Sequence, residues 1–245
     1  LFGMVKFYTA ARGMGVKPII GCDVWIGEDA ADKNDGAMRL LLLAKNRAGY
    51  LRLCELLSAA YLVPRRHGRA EITRTQLGQG DNSGLIALSG GPLGDIGQLL
   101  AAGKLDQADV RAQAWAQLFP GAYYVEVQRP AGPDSAASEV LVAASVDLAA
   151  RLGLPLVATH PVQFLRRDDY KAHEARVCIA DGYVLGDTRR PKRYSAEQYF
   201  KTQAEMAELF ADLPEALQNS VEIACRCNLS VELGKSRLPD FPTPA

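Results

Sequence analysis

The chain has few of the side chains that hold metal ions: three histidines in 245 residues, His67, His160 and His173, and five scattered cysteines with no C-x-x-C pair. A zinc cluster built on paired cysteines is excluded by that spacing. Cys22, Cys54, Cys178, Cys225 and Cys227 instead fit buried thiols in a reducing cytoplasm. No apolar run approaches the roughly 20 residues of a membrane span, and no signal peptide is visible, so a soluble cytoplasmic protein with no membrane partner is expected. Both G-x-x-x-x-G-K-[ST] and a G-x-G-x-x-G following a strand are missing. Ser89 to Gly94 lacks the spacing and the Lys of a phosphate cradle, although backbone amides at the helix start after Pro92 could hold an anion. No Ser or Cys stands in a nucleophile elbow with a suitable His. Nor is there an excess of either charge: Lys plus Arg and Asp plus Glu both total 28, so any contact with nucleic acid has to be local.

What is present is a globular composition, 48% hydrophobic and 23% charged, sufficient for one large domain or two small ones. Residues 1–8 read as helix without an initiator Met or an N-cap, the opening expected of an internal piece of a longer protein. The Pro-rich residues 238–245 read as an interdomain linker. Strands are expected at 17–26, kinked at Gly21-Cys22-Asp23, and at 39–44, 85–89, 123–128 and 154–158. Helices are expected at 48–62, 94–102, 105–119 and 135–152, with a basic loop carrying His67 at 63–69. Short strands alternating with helices indicate a mainly parallel sheet, open or closed into a barrel. From Asp168 onward the pattern turns helical, with helices at 169–180, 204–213 and 215–227.

The strand at 154–158 runs straight into the polar turn Thr159-His160-Pro161-Val162-Gln163. Sites in parallel sheets collect just past such strand ends. His160 offers an imidazole there, but Pro161 offers no side-chain donor and Gln163 only a neutral amide. A metal phosphoesterase needs two or three ions, each with several His, Asp or Glu donors. Neither His67, in its basic loop, nor His173, beside Glu174 in a helix and expected in an exposed or capping role, adds to His160. Two carboxylates lie near strand ends, Asp23 and Glu126, and an inward Glu126 needs a cation or an Arg such as Arg129 or Arg12. Arg189, Arg190, Lys192 and Arg193 beside Tyr194 suit either a DNA or phosphate contact or a solvated loop.

Several phrases together carry a resemblance: the opening LFGMVKFY, Val16-Lys17-Pro18-Ile19-Ile20-Gly21, Leu85-Ile86-Ala87-Leu88-Ser89-Gly90-Gly91, Leu156-Val157-Ala158-Thr159 and Ala172-His173-Glu174-Ala175-Arg176. They resemble the polymerase-and-histidinol-phosphatase (PHP) domain of bacterial replicative DNA polymerase alpha subunits. Phe210-Ala211-Asp212-Leu213-Pro214-Glu215-Ala216-Leu217 and Arg226-Cys227-Asn228 look like the segment leading on toward the polymerase palm. The resemblance implies an α/β fold, a distorted (β/α)7-like barrel truncated at its N-terminus. Its body spans residues 1–165, a helical part 166–236, and a linker toward the palm 237–245. Metal-binding relatives carry G-x-E, a later His and N-D-x-H. The matching positions here hold Asp23 for the Glu, Pro130 for the His, and His160, Pro161 and Gln163 for Asn, Asp and His. These are vestigial ligand positions, and they imply no catalytic residue and no cofactor within this stretch. The whole polymerase would use Mg. The implied role is a metal-free scaffold that supports a DNA-synthesising chain, docks a proofreading exonuclease subunit and meets DNA through the full-length protein. The alternative is an active metal-dependent phosphoesterase or 3′-to-5′ exonuclease using Asp23, Glu126 and His160.

Overall fold

The computed structural model describes residues 3–27, 38–63, 69–130 and 135–235; His67 and the linker at 237–245 lie outside them. The chain starts with α1 (Met4–Gly13), then β1 (Gly21–Gly27) and β2 (Met38–Ala44). Next come α2 (Arg47–Leu62), β3 (Glu71–Thr73), α3 (Arg74–Gly78) and β4 (Leu85–Leu88). After these follow α4 (Asp95–Ala101), α5 (Leu105–Leu118), β5 (Tyr123–Gln128), α6 (Ser135–Leu152) and β6 (Leu156–Thr159). Three helices close the described chain: α7 (Tyr170–Asp181), α8 (Gln203–Leu209) and α9 (Pro214–Arg226).

The strands form one six-stranded sheet in the order β3-β1-β2-β4-β5-β6. β1 with β3, β4 with β5 and β5 with β6 pair in parallel, while β2 runs antiparallel to both of its neighbours. Five strands therefore point the same way, and their C-terminal ends share one rim. This is a mixed α/β architecture consistent with a PHP barrel-like fold, but the reversed β2 departs from an uninterrupted run of β-α units.

β5 is buried at all six positions and β4 at all four, as expected of central strands covered on both faces. The strand expected from Lys17 begins only at Gly21, since Pro18 has no N–H to give a ladder. Likewise β6 starts after Pro155, whose carbonyl still accepts from Val125 N at 2.9 Å. β3 and α3 were not expected: three residues carry too little pattern to read as a strand, and α3 is set by a capping box between Thr73 and Gln76.

Helix α2 begins where the Asn46 side chain accepts from Gly49 N at 3.1 Å, and it buries Gly49, Leu53, Leu56 and Ala60 as a single stripe. Gly49 lies so close to Gly84 that an added Cβ would sit 1.8 Å from the Gly84 carbonyl oxygen. The main core joins Leu53, Leu56 and Ala60 to Leu40, Leu42, Trp115, Phe119 and Tyr123. A second cluster packs Val127 and Ala158 with Val142, Phe210 and Ala216, and so fixes the last helices against the ends of β5 and β6. α9 covers β6 directly, with Asn219 Nδ2 donating to Leu156 O at 2.8 Å.

Candidate functional site

The rim at the C-terminal ends of β4, β5 and β6 is held by a buried carboxylate. Glu126 Oε1 accepts from Gln128 Nε2 at 2.8 Å and from Thr159 Oγ1 at 2.5 Å, while Glu126 N donates to Ser89 Oγ at 2.9 Å. One residue thus ties three strand ends together. Its second oxygen, Oε2, is buried without a partner. Beside it lies a cavity of about 20 Å³ lined by Gly91, Pro92, Gln128, Pro130 and Ser145, room for one water and too little for a substrate.

Neither Arg129 nor Arg12 serves Glu126. Alternation along β5 sends residue 129 to the opposite face from 126 and 128. There the Arg129 guanidinium grips both carboxylate oxygens of Asp212 at 2.6 and 2.8 Å, donates to Leu209 O at 2.8 Å, reaches Glu139 and stacks on Phe210. Arg12 is exposed on α1. The sequence signal for the true partner was the i, i+2 spacing of Glu126 and Gln128. Thr159 follows from the register, because it pairs with Gln128.

The turn after β6 is clamped by a later segment. Gln163 N donates to Gln198 O at 2.8 Å, Phe200 N to Phe164 O at 3.0 Å, and Gln198 Nε2 to Pro161 O at 3.3 Å, with Phe164 and Tyr199 bridged in parallel. His160 Nε2 lies 2.9 Å from Glu197 O. A carbonyl only accepts, so Nε2 carries the hydrogen and the ring lone pair is left on Nδ1, which is buried without a partner. Burial holds this imidazole below the usual histidine range, against the opposing pull of the Glu197 carbonyl.

The remaining expected positions do not converge on His160. Asp23 is the third residue of β1, four strands away along the sheet, with a half-exposed carboxylate paired to Arg39 at 2.7 Å. Pro130 lines the small cavity, Pro161 is half-buried and Gln163 is exposed. Among the described residues no three His, Cys, Asp or Glu side chains gather into a group able to hold a metal ion. The residues at the matched positions do not fit a multi-ion site: two are prolines, one is a neutral amide, Asp23 is paired to Arg39 four strands away, and His160 alone keeps a free lone pair, on Nδ1.

The other titratable residues meet expectation only in part. His173 is not exposed but buried, 5.3 Å from the Phe164 ring and 4.8 Å edge-on to Tyr194, with Nδ1 3.3 Å from Arg176. Among the cysteines, Cys178 and Cys227 are buried and Cys225 is exposed. Within the basic stretch, Arg190 is committed to the buried carboxylate of Glu174 and to Leu185 O. Arg189 pairs with Asp187 at 2.8 Å and Arg193 with Asp181 at 3.3 Å, while Lys192 is exposed. No described helix is long and apolar enough to cross a membrane.

Comparison with known proteins decides the family. A family model for the PHP domain matches residues 1–130, more than half of the chain. This chain belongs to the PHP domain family. Its relatives include the DNA polymerase III subunit alpha of Neisseria meningitidis serogroup B, 54% identical over 245 residues, which cover 99% of this chain and 21% of that protein. The corresponding subunit of Pseudomonas aeruginosa is 48% identical over 242 residues, covering 98% of this chain and 20% of that protein. That of Escherichia coli K12 is 45% identical over 245 residues, covering 99% and 20%. The PHP chain thus spans about a fifth of the length of the curated relatives it matches.

Proposed function

We propose that this PHP chain is the scaffold portion of a DNA polymerase III alpha subunit, working within a DNA-directed DNA polymerase of the cytoplasm that uses Mg in parts of the protein beyond this stretch. The stretch itself is a degenerate, metal-free PHP unit that supports the polymerase core and docks the proofreading exonuclease subunit. One observation carries the reading: the turn where metal-binding relatives place an Asp and a His holds Pro161 and Gln163, and its one histidine donates to Glu197 O instead of facing an open site. Losing several first ligands costs far more affinity than the 10- to 100-fold typical of a lost supporting contact.

The donor chemistry supports a structural role for what remains. Glu126 spends Oε1 on Gln128 and Thr159 and its N–H on Ser89, and so locks three strand ends in register, with Oε2 left beside the small cavity. Arg189, Lys192 and Arg193 provide an auxiliary contact to DNA phosphates, with Arg190 serving the fold.

The test is a nuclease assay on the full-length protein with Mn²⁺ and a 3′-ended single strand. No cleavage that depends on this region is expected, so His160→Ala leaves the trace unchanged. Mn-dependent cleavage abolished by His160→Ala would establish the alternative, an active phosphoesterase or 3′-to-5′ exonuclease. A pull-down of the proofreading exonuclease subunit by the full-length protein tests the docking half of the reading, and failure to associate would remove it.

A further inference from the structure

Glu126 is a buried carboxylate, 4% exposed, that pairs with no Lys, Arg or His among the described residues. Arg129, the cation closest to it in the chain, is spent on Asp212. The hydrogen bonds that Glu126 accepts come from neutral groups, the Gln128 amide and the Thr159 hydroxyl, and both fall on Oε1. Oε2 is left buried without a partner. Buried charges are ordinarily paired or bound to a metal ion, because a bare carboxylate away from water is costly.

The space next to this carboxylate has room for one small occupant. The cavity of about 20 Å³ is walled by Glu126 itself, by Gly91 after β4, by Gln128 and Pro130 at the end of β5 and by Ser145 on α6. Gln128 gives Nε2 to Glu126 Oε1 and Thr159 Oγ1, which leaves its carboxamide oxygen as an acceptor with lone pairs to offer. Ser145, 5% exposed, makes no side-chain hydrogen bond among the described residues. At Gly91, held at a φ of +57°, an added Cβ would come within 3.2 Å of the Gln128 carboxamide carbon and 3.4 Å of its oxygen. The backbone therefore approaches this wall closely because residue 91 has no side chain.

We propose that this cavity binds one small monovalent cation, sodium or potassium, on Glu126 Oε2, with Gln128 Oε1 and the Ser145 hydroxyl as neutral oxygen donors. Hard cations take oxygen ligands, and every donor offered here is an oxygen. One carboxylate among neutral oxygens balances a single positive charge, whereas a divalent ion would keep an uncompensated charge in a buried place. A water molecule would give Oε2 a hydrogen bond but no counter-charge. The tie that Glu126 makes between the ends of β4, β5 and β6 is then cation-dependent. Neither Asp23, His160, Pro161 nor Gln163 lines this cavity, so the proposal stands apart from the metal-free reading of the turn after β6, which concerns zinc and manganese.

The test is hydrogen exchange of the full-length protein, at one pH and one ionic strength, in sodium, potassium or tetramethylammonium chloride. Mass spectrometry reads the peptides that carry residues 123–130 and 156–160. Sodium or potassium at about ten times its Kd should raise protection there about ten-fold over tetramethylammonium, which is too large to enter. The Glu126→Gln variant keeps the shape and removes the charge, and it should lose the difference between the salts while its circular dichroism is kept. Ser145→Ala, a change that suits a helix, should move half-maximal protection to a cation concentration about ten-fold higher. Equal protection in the three salts is the result for a bound water or proton and would overturn the proposal. So would a salt difference that survives Glu126→Gln, or a midpoint that Ser145→Ala leaves in place.

Discussion

The strand-bearing body and the segment from His160 to Phe200 are built on opposite principles. In the body, apolar burial dominates: the main cluster gathers Leu40, Leu42, Leu53, Trp115, Phe119 and Tyr123 around β4 and β5. No residue from 160 to 200 belongs to any of the three apolar clusters of the described structure. That segment is held by backbone bonds to the clamp at 195–200, by the stack of Phe164, His173 and Tyr194, and by the buried Glu174–Arg190 pair. Hydrophobic burial is non-directional and tolerant, whereas ion pairs and hydrogen bonds depend on pH and geometry. The turn after β6 anchors this polar lobe through its backbone and through His160.

The largest effect is expected in the body. Trp115→Ala should lower its stability by about 3–5 kcal/mol in urea unfolding, as for other buried large-to-small changes. The Trp115 indole also donates to the buried carboxylate of Asp95 at 2.9 Å, and that bond would be lost too. A loss below about 1 kcal/mol would show that the apolar cluster does not carry the body.

Next in size is the lobe's own ion pair. Arg190→Met leaves the Glu174 carboxylate buried without its ion-pair partner, a loss expected to fall below that of Trp115→Ala because water reaches the arginine. Hydrogen exchange should show residues 170–195 opening while β4 and β5 stay protected. Adding Glu174→Leu should recover most of the loss, because the pair is then replaced by apolar contact. Equal loosening of lobe and body in the single variant would erase the distinction between them.

The smallest effect separates the regions by sign. Burial holds His160 and His173 below the usual value of 6.5, so the unfolded chain takes up protons that the folded lobe refuses. The lobe should lose stability as pH falls through 6.5 toward the lowered folded values, and show no such loss above it. Glu205, held at about 2 chiefly by the Tyr199 hydroxyl, adds stability that is present above 4.5 and lost as pH falls toward 2. In the body, burial raises Asp95 above 3.8, so its contribution grows as pH falls through the raised value toward 3.8. Protection against exchange, after correction for the slower intrinsic exchange at lower pH, should fall between pH 7 and 5 in residues 160–200, and His160→Asn with His173→Phe should flatten that response. No change in the double variant would remove the histidines as the cause.

How much of this could be read from the sequence depended on the range of the interactions. The bounds of β5 and α6 were legible to the residue because each carries its own periodicity, six buried residues in one and an 18-residue helix in the other. The antiparallel placement of β2 was not legible, since strand direction is set by which neighbours it meets. At the site, the poverty of side-chain donors at Pro130, Pro161 and Gln163 was plain from residue type, because a proline ring offers none and Gln163 only a neutral amide. The clamp at 195–200 was not, because it works through backbone atoms of residues with no apolar pattern. His173 was misread for the same reason: its stacking partners, Phe164 and Tyr194, lie 9 and 21 positions away.

The central claim is that the site past β6 has been given over to structure. Its most direct test is metal analysis of the purified full-length protein after growth and dialysis with zinc and manganese, comparing the native chain with His160→Ala. Metal content far below one ion per chain, unchanged by the substitution, is the predicted result. One or more ions per chain, lost on replacing His160, would contradict it.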